Sequence, residues 1–190
     1  MRIIAGSLGG RKLVDWEESG IRPMRDFVRS ALFSILSDFV PNAAFLDLYC
    51  GTGSVGIEAL SRGARTCVFV DKAPAACRIV RRNLDAFDLL DSTQVIQGDA
   101  AATVSELARR GRRFDLVFIG PPYYRDLVPP TLAALGDSNL FGEDPVVVAE
   151  IHRTERVAER FGELARVDER RYGDNHLLFY RREARDEPET

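Results

Sequence analysis

The sequence contains no apolar run long enough to cross a membrane. A membrane-spanning helix needs about 18 or more consecutive apolar residues, and no stretch of the 190 residues approaches that length. The first ten residues, MRIIAGSLGG, also lack the apolar region of a secretory signal peptide. We therefore expect a cytoplasmic, globular protein, and a hydrophobic content of 45% is enough for a substantial core.

Cysteine and histidine are scarce. The three cysteines, Cys50, Cys67 and Cys77, form no CxxC pair, and His152 and His176 are the two histidines. A structural zinc site needs about four such ligands, usually in closely spaced pairs. The sequence therefore predicts no metal site and no structural disulfide. Each cysteine is expected to be a small buried side chain.

An excess of positive charge is also missing. The formal net charge is −3, which argues against a nucleic-acid binder that is basic over its whole surface. Residues 1–30 nevertheless carry six basic and four acidic side chains, a net charge of +2 that leaves −5 for the other 160 residues. This asymmetry suits a local contact with nucleic-acid phosphate, although a solvated surface would have the same pattern.

The N-terminal residues predict a hairpin and a helix. Residues 2–6 and 11–14 flank the glycine-rich stretch SLGG and read as a short β-hairpin. Apolar residues then recur at helical spacing over 25–39, behind Pro23, which suits a helix start. We expect residues 1–40 to form an extension that contacts RNA.

Beyond the extension, strands alternate with helices. The predicted strands are 44–49, 66–71, 93–97, 114–119 and 146–151. The predicted helices lie near 54–62, 74–87, 100–110, 126–135 and 154–161. Because the strands are nearly continuous hydrophobic runs, they indicate a mostly parallel sheet covered on both faces, which is a doubly wound α/β fold.

The C-terminal residues predict an antiparallel hairpin. RVDERRY and HLLFYR are separated by the turn residues Gly173, Asp174 and Asn175. This hairpin would close the sheet of one domain spanning residues 41–182. Residues 183–190 are too polar to pack and are expected to be disordered.

Candidate binding residues lie at the carboxyl ends of the strands, where open α/β sheets bind their ligands. The first strand carries Asp47 and leads into Gly51 and Gly53, which let the backbone approach a ligand closely. The second strand ends at Asp71, where an acid can accept hydrogen bonds from both hydroxyls of a ribose. After the third, Asp99 can accept from an adenine amine or cap the next helix. Three acids at successive strand ends would line one cleft.

Two cofactors fit this pattern. Gly51, Gly53 and Gly56 satisfy the GxGxxG fingerprint of dinucleotide-binding enzymes, so a nicotinamide-dependent reductase stays open as an alternative. Asp47 would repel a pyrophosphate, whereas it would attract the ammonium group of S-adenosylmethionine. The sequence therefore favours S-adenosylmethionine as the cofactor.

The fourth strand ends in a rigid corner, VFIGPPYY. Pro121 and Pro122 fix the backbone and lack N–H donors, so carbonyl oxygens face outward beside Tyr123. Such a corner can accept hydrogen bonds from the exocyclic amine of a nucleobase while the ring stacks on the base. Holding the amine in line with a methyl sulfonium would supply most of the catalysis.

These residues resemble the class I methyltransferases with an [Asp/Asn/Ser]-Pro-Pro-[Tyr/Phe/Trp] motif, and the match is closer to the RsmD family of 16S ribosomal RNA guanine-N2 methyltransferases. The resemblance covers nearly the whole chain. It includes RIIAGSLGGRKL, RPMRDFVR, which is similar to the family's R-P-T-x-D-x-V-R-E signature, and FLDLYCGTGSVGIEALSRGA; VDKAP, GDA and PPYY follow in the family's order.

The resemblance implies transfer of a methyl group from S-adenosylmethionine to the N2 amine of one guanine in the small ribosomal subunit. It assigns the methionine end of the cofactor to Asp47, Gly51 and Gly53, the ribose to Asp71 and the adenine to Asp99. Neighbouring motif residues complete the cofactor site: Tyr49, Lys72 and Ala100. The catalytic corner would be Gly120, Pro121, Pro122 and Tyr123, and RNA phosphate would be contacted by Arg11, Lys12, Arg22, Arg25 and Arg29. The partner would be 16S ribosomal RNA within small-subunit particles, bound by a monomer.

Gly120 departs from the family pattern, which has an acid or amide at this position to accept one amine N–H. The loss of one preorganised partner can lower a rate on the order of 10²-fold, so Gly120→Asp is predicted to raise methylation. Three alternatives remain: another group supplies the acceptor, the activity is low, or the protein is a catalytically silent ribosome-assembly factor. An amino-methyltransferase acting on DNA or on a protein glutamine is a further alternative.

Overall fold

The computed structural model describes residues 1–14 and 23–183, which fold around an eight-stranded sheet. The strands are β1 (Ala44–Leu48), β2 (Thr66–Asp71), β3 (Thr93–Gln97), β4 (Phe114–Ile119), β5 (Phe141–His152), β6 (Arg160–Phe161), β7 (Leu164–Tyr172) and β8 (Asn175–Arg182). The helices are α1 (Asp26–Ile35), α2 (Ser54–Ser61), α3 (Pro74–Ala86), α4 (Ala100–Arg109) and α5 (Val128–Gly136).

The strand order is β3-β2-β1-β4-β5-β8-β7-β6. Strands β1 to β5 pair in parallel, whereas β5, β8, β7 and β6 pair in antiparallel fashion. This confirms the predicted doubly wound sheet with a C-terminal antiparallel hairpin. Because the chain order reverses between β1 and β4, a crevice is expected at their carboxyl ends.

Helices cover both faces of the sheet. Phe45 and Phe69 lie in a core cluster with residues of α1, α2 and α3, whereas Leu46 and Val70 lie in a second cluster with residues of α4 and α5. Successive strand residues point to opposite faces, and here both faces are apolar. The two clusters therefore explain why the strands read as continuous hydrophobic runs.

The predicted helix at 154–161 is wrong. Only Thr154 is in a turn, residues 155–158 have no regular secondary structure, and the last two residues form β6, which pairs with β7. The side chain of Glu155 accepts hydrogen bonds from the N–H groups of His152 at 2.7 Å and Tyr124 at 3.0 Å. Gly162, with a φ of 54°, makes the turn into β7. Long-range contacts here outweigh the helical pattern.

The N-terminal extension also differs from its prediction. The expected hairpin is short: Arg2 and Lys12 form one antiparallel bridge, and backbone hydrogen bonds join Ile3 to Gly10 and Arg11 and Met1 to Leu13. Beyond it, the N–H groups of Ile4 and Ala5 donate to the carboxylate of Glu58. Helix α1 is shorter than the predicted 25–39, and turns occupy residues 36–39 of that range.

The extension shares the core of the rest of the chain. Ile3, Leu13 and Val28 are buried in the same cluster as Phe45. The boundaries proposed for the extension, the main domain and the tail remain predictions, and residues 184–190 of the tail lie outside the described residues. Within the described residues, no helix is both long and apolar enough to cross a membrane.

Candidate active site

A cleft of about 720 Å³ lies at the carboxyl edge of the sheet, where the strand order reverses. The ends of β1, β2, β4 and β5 contribute to it. Twelve of the predicted site residues line this cleft: Arg25, Asp47, Tyr49, Gly51, Asp71, Lys72, Asp99, Ala100, Gly120, Pro121, Pro122 and Tyr123. Gly53 does not line it but forms the N-cap of α2 with a φ of 77°.

Asp47 is a buried carboxyl group at the floor of the cleft, with only 1% of its surface exposed. Its Oδ2 accepts a hydrogen bond from the Gly56 N–H at 2.9 Å, and its Oδ1 has no hydrogen-bond partner among the described residues. Burial raises the pKa of Asp47 to about 7, since the carboxylate is desolvated. A ligand cation would restore its charge.

Gly56 does not line the cleft; its role is to let two elements pack closely. A Cβ atom there would stand 2.4 Å from Cε1 of Phe69 and 2.7 Å from Sγ of Cys67. Glycine therefore lets α2 lie close against β2. Its N–H group also fixes Asp47, so the third glycine of the fingerprint supports the acid.

Asp71 joins two loops that border the cleft. Its Oδ2 accepts from the Gly51 N–H at 2.9 Å, and its Oδ1 accepts from the Ala73 N–H at 2.8 Å. A carboxylate has about four acceptor sites, so these two bonds leave capacity for ribose hydroxyls. They also hold the turn after β1 against the end of β2.

Asp99 and Tyr49 lie at other edges of the cleft. Asp99 is exposed, and its Oδ1 caps α4 by accepting from the Ala102 N–H at 3.1 Å; the capping role considered for it is therefore present. The hydroxyl of Tyr49 is 2.8 Å from Oγ1 of Thr131. Burial raises the pKa of Tyr49, so its hydroxyl keeps its proton.

The proline corner follows β4, which lies next to β1 and its Asp47 in the sheet. The Gly120 N–H donates to the Leu48 carbonyl at 3.2 Å, which continues the pairing of β4 with β1 by one residue. Beyond it, the Tyr123 hydroxyl donates to Oε1 of Glu150 at 2.7 Å. The ring of Tyr124 is more exposed and lies 4.9 Å from the ring of His152, between centroids.

Sequence reasoning missed several residues of the cleft. Glu150, Asn175, Phe118 and Arg125 all line it. Glu150 lies two residues before the end of β5, in VVVAEIH, and a lone acid near the end of an apolar strand was the available signal. Asn175 had been assigned only to a turn, and its approach to Tyr123 depends on the pairing of β5 with β8.

The residues expected to contact RNA do not lie together on one surface. Arg25 is exposed and lines the cleft, and Lys12 is exposed. Arg11 donates to the carbonyl of Ala86, the last residue of α3; this end of α3 lies about 18 Å along the helix from its start beside the cleft. Arg22 lies outside the described residues.

The predicted contact of Arg29 with RNA phosphate is corrected by the structure, because Arg29 is buried. Its side chain is 0% exposed. It donates to the carbonyl of Arg2, and its Nε lies 3.7 Å from Oε2 of the equally buried Glu58. Burial lowers the pKa of Arg29 while Glu58 opposes that shift. Arg29 therefore fastens the N-terminal segment to α1 and α2.

Within residues 1–14 and 23–183, no group of three or more histidine, cysteine or acidic side chains is placed to hold a metal ion. Cys50, Cys67 and Cys77 are free and buried.

The strand order, the carboxyl-edge cleft and the acids around it define the class: this is a Rossmann-like class I methyltransferase fold. Among solved structures, the chain is similar to "Putative methyltransferase yhhF" from Escherichia coli, with a TM-score of 0.82, 29% identity and coverage of 97% of this chain and 99% of that one.

Sequence comparisons place the chain within this class. The family model described as "Conserved hypothetical protein 95" matches residues 1–181. The chain is 32% identical to "Putative rRNA methyltransferase YlbH" of Bacillus subtilis over 182 residues, which are 96% of this chain and 99% of that protein. It is 32% identical to "Ribosomal RNA small subunit methyltransferase D" of Escherichia coli K12 over 150 residues, 79% of this chain and 74% of that one. The chain therefore belongs to the RsmD family of methyltransferases, and the alternative of a nicotinamide-dependent reductase is not retained.

Proposed function

We propose that this protein transfers a methyl group from S-adenosylmethionine to the exocyclic N2 amine of a guanine in 16S ribosomal RNA of the small subunit. One observation carries the proposal: a single cleft is lined by the buried acid Asp47, by Asp71 at the end of β2 and by the corner from Gly120 to Tyr123. The names of the Escherichia coli and Bacillus subtilis relatives support ribosomal RNA as the substrate.

The cleft residues fit the methyl donor. The unpartnered Oδ1 of Asp47 is a buried acceptor that an ammonium group would satisfy. Asp71 has acceptor capacity for the ribose hydroxyls, and Asp99 and Ala100, which follow β3, the strand next to β2, line the cleft for the adenine. Lys72 and Tyr49 line the same cleft. The repulsion of Asp47 for a pyrophosphate supports this donor over a dinucleotide.

The protein's contribution is to position two reactants. When bound, S-adenosylmethionine supplies a methyl group whose bond to sulfur breaks, with the electron pair staying on sulfur, as the bond to nitrogen forms. The carbonyl groups of the Pro121-Pro122 corner accept hydrogen bonds from the amine, and the ring of Tyr123 stacks on the extruded base. The nitrogen then loses one proton to solvent, so no strong base is required before attack. Orientation provides most of the rate enhancement.

A methylation assay tests the proposal. Small subunits from cells that lack this protein would be incubated with it and with radiolabelled S-adenosylmethionine, and the digested RNA analysed by mass spectrometry. We expect one new N2-methylguanosine, and subunits that already carry the mark should accept no label. Asp71→Asn serves as the binding-defective variant, and Asp85→Asn, an exposed acid on α3, is its matched control.

The alternatives give different results in the same assay. Label in DNA or in a protein glutamine, with none in the small subunit, would replace the RNA substrate. Binding of both donor and subunit without any transfer would make the protein a silent assembly factor, as the missing side chain at position 120 allows. A failure of S-adenosylhomocysteine to bind in calorimetry would reject the cofactor assignment.

A further inference from the structure

A second carboxylate stands beside the position where the family's acceptor is missing. Ile119 of β4 pairs in register with Ala149 of β5, so Gly120 lies next to Glu150. Phe118 pairs with Val148, and residues two apart in a strand share a face. Glu150 therefore projects from the same face of the sheet that a side chain at position 120 would use.

Glu150 is buried but borders the cleft. It is 7% exposed and lines the cleft together with Gly120 and Tyr123. Its Oε1 accepts from the Tyr123 hydroxyl at 2.7 Å and from Nδ2 of Asn175. Both donors reach the same oxygen, and a carboxylate has about four acceptor sites in all.

The neighbouring amide points independently to a ligand donor. Oδ1 of Asn175 is buried and has no hydrogen-bond partner among the described residues. A buried acceptor without a donor is costly. The Oγ1 of Thr52 and the Oδ1 of Asp47, which line the same cleft, are in the same state. The described part of the cleft thus holds unpaired polar atoms at both its cofactor end and its base end.

We propose that Glu150 reads the Watson–Crick edge of the target guanine, accepting hydrogen bonds from its N1–H and N2–H groups in place of the side chain missing at Gly120. This inference rests on the proposed function. Guanine presents two adjacent donors on this edge, which one carboxylate can accept together. Adenine and cytosine each present a donor beside an acceptor, and that acceptor would repel the carboxylate. Glu150 therefore determines specificity for guanine.

Tyr123 and Asn175 hold this carboxylate in place. The bond from the Tyr123 hydroxyl couples the expected stacking ring to Glu150, so ring and carboxylate form one preorganised base site. Acceptors that are already held in position do not have to reorganise when the base binds. In this arrangement Tyr123 positions Glu150 as well as contacting the base.

Glu150→Gln tests the assignment. It keeps the size of the side chain but replaces one acceptor oxygen with a donor. We expect kcat for methyl transfer to unmodified small subunits to fall about 10- to 100-fold, with little change in the affinity for S-adenosylhomocysteine. Glu143→Gln, at an exposed acid near the start of the same strand, is the matched control and should keep its activity. A Glu150→Gln rate within about two-fold of the unmodified protein would overturn the proposal.

Rescue separates base contact from a structural role. Gly120→Asp places a carboxylate on the same face. The double variant should therefore transfer methyl groups at least about ten-fold faster than Glu150→Gln alone. A Cβ at position 120 would lie 2.6 Å from Cε1 of Phe118, so the ring must shift; Gly120→Ala with Glu150→Gln measures that steric effect alone. With Glu150 in place, the structure reverses the gain that the sequence predicts for Gly120→Asp: the new carboxylate would stand next to Glu150 and be repelled by it, so we expect no increase in methylation. Absence of rescue relative to the alanine control would assign Glu150 to structure only.

A binding measurement keeps this inference separate from the proposed function. If the protein transfers no methyl group, the proposed activity fails, yet Glu150 can still be tested. We then expect the S-adenosylhomocysteine-loaded protein to bind unmodified small subunits about ten-fold more tightly than Glu150→Gln does. Equal affinities would overturn the role of Glu150 whatever the activity.

Discussion

At the scale of single residues, the cleft depends on carboxyl groups whose charge is set by burial. Asp47 is recognisable in the sequence from its place before the glycine loop, but its protonation is a property of the fold. Burial raises its pKa from 3.8 to about 7. Its contribution to stability is therefore fully present below pH 3.8, where folded and unfolded states both hold the proton, and is lost as the pH rises through about 7.

Asp47→Asn should abolish a pH dependence of ligand binding. An ammonium group pairs with the ionised carboxylate, so the affinity for S-adenosylhomocysteine should rise about ten-fold from about pH 6 to about pH 8. With asparagine the affinity should be low and nearly independent of pH over this range. Calorimetry at several pH values measures both, and exposed Asp85→Asn should behave as the unmodified protein. An unchanged slope in Asp47→Asn would show that another group titrates.

At the scale of elements, a buried ion network joins the N-terminal segment to the helices. Glu58 of α2 accepts from the N–H groups of Ile4 and Ala5 and lies 2.8 Å from Nε of Arg62. Arg29 of α1 approaches the same carboxylate. The arginine resembles a phosphate ligand in the sequence, since its partner lies 29 residues away and cannot be identified from local pattern.

Arg29→Met should destabilise the fold without removing a surface charge. Loss of one member of a buried charge network leaves its partners poorly compensated, so the free energy of unfolding should fall by about 3 kcal/mol. Urea denaturation measures this change. Arg78→Met, at an exposed arginine of α3, should alter stability by less than about 0.5 kcal/mol. Equal stability of the two variants would mean that the network contributes nothing net.

Other elements show where sequence patterns hold and where they fail. Four of the parallel strands, β1, β2, β4 and β5, were predictable because each contains a nearly continuous apolar run, whereas the residues of β3 are half-buried or exposed. The helix expected at 154–161 was wrong because Glu155 bonds to Tyr124, which lies 31 residues away, and because β6 finds a partner in β7. Pattern reasoning is blind to such distant partners.

At the scale of the whole molecule, an acidic protein has to present a positive surface next to the cleft. Arg25 and Arg125 are exposed and line the cleft, whereas Arg11 is held at the far end of α3. The positive charge that matters for the proposed RNA contact is therefore local to the cleft. The net charge of −3 is compatible with this arrangement.

Arg25→Ala should weaken binding to small subunits and change its salt dependence. Loss of one phosphate contact should reduce the slope of log affinity against log salt by roughly 0.7 to 0.9. Filter binding over a range of salt concentrations measures the slope. Arg29→Met should leave the slope unchanged, because Arg29 is buried and does not face RNA. An altered slope in Arg29→Met and an unchanged slope in Arg25→Ala would reverse these assignments.

The parallel strands with the helices between them, the acids at the strand ends and the proline corner could be read from the chain, because hydrophobic periodicity and turn chemistry act between near neighbours. Tertiary packing decided which charged groups are buried, paired or protonated. It buried Arg29 against Glu58, raised the pKa of Asp47 and set Glu150 beside Gly120, since desolvation and pairing depend on side chains brought together from distant parts of the sequence.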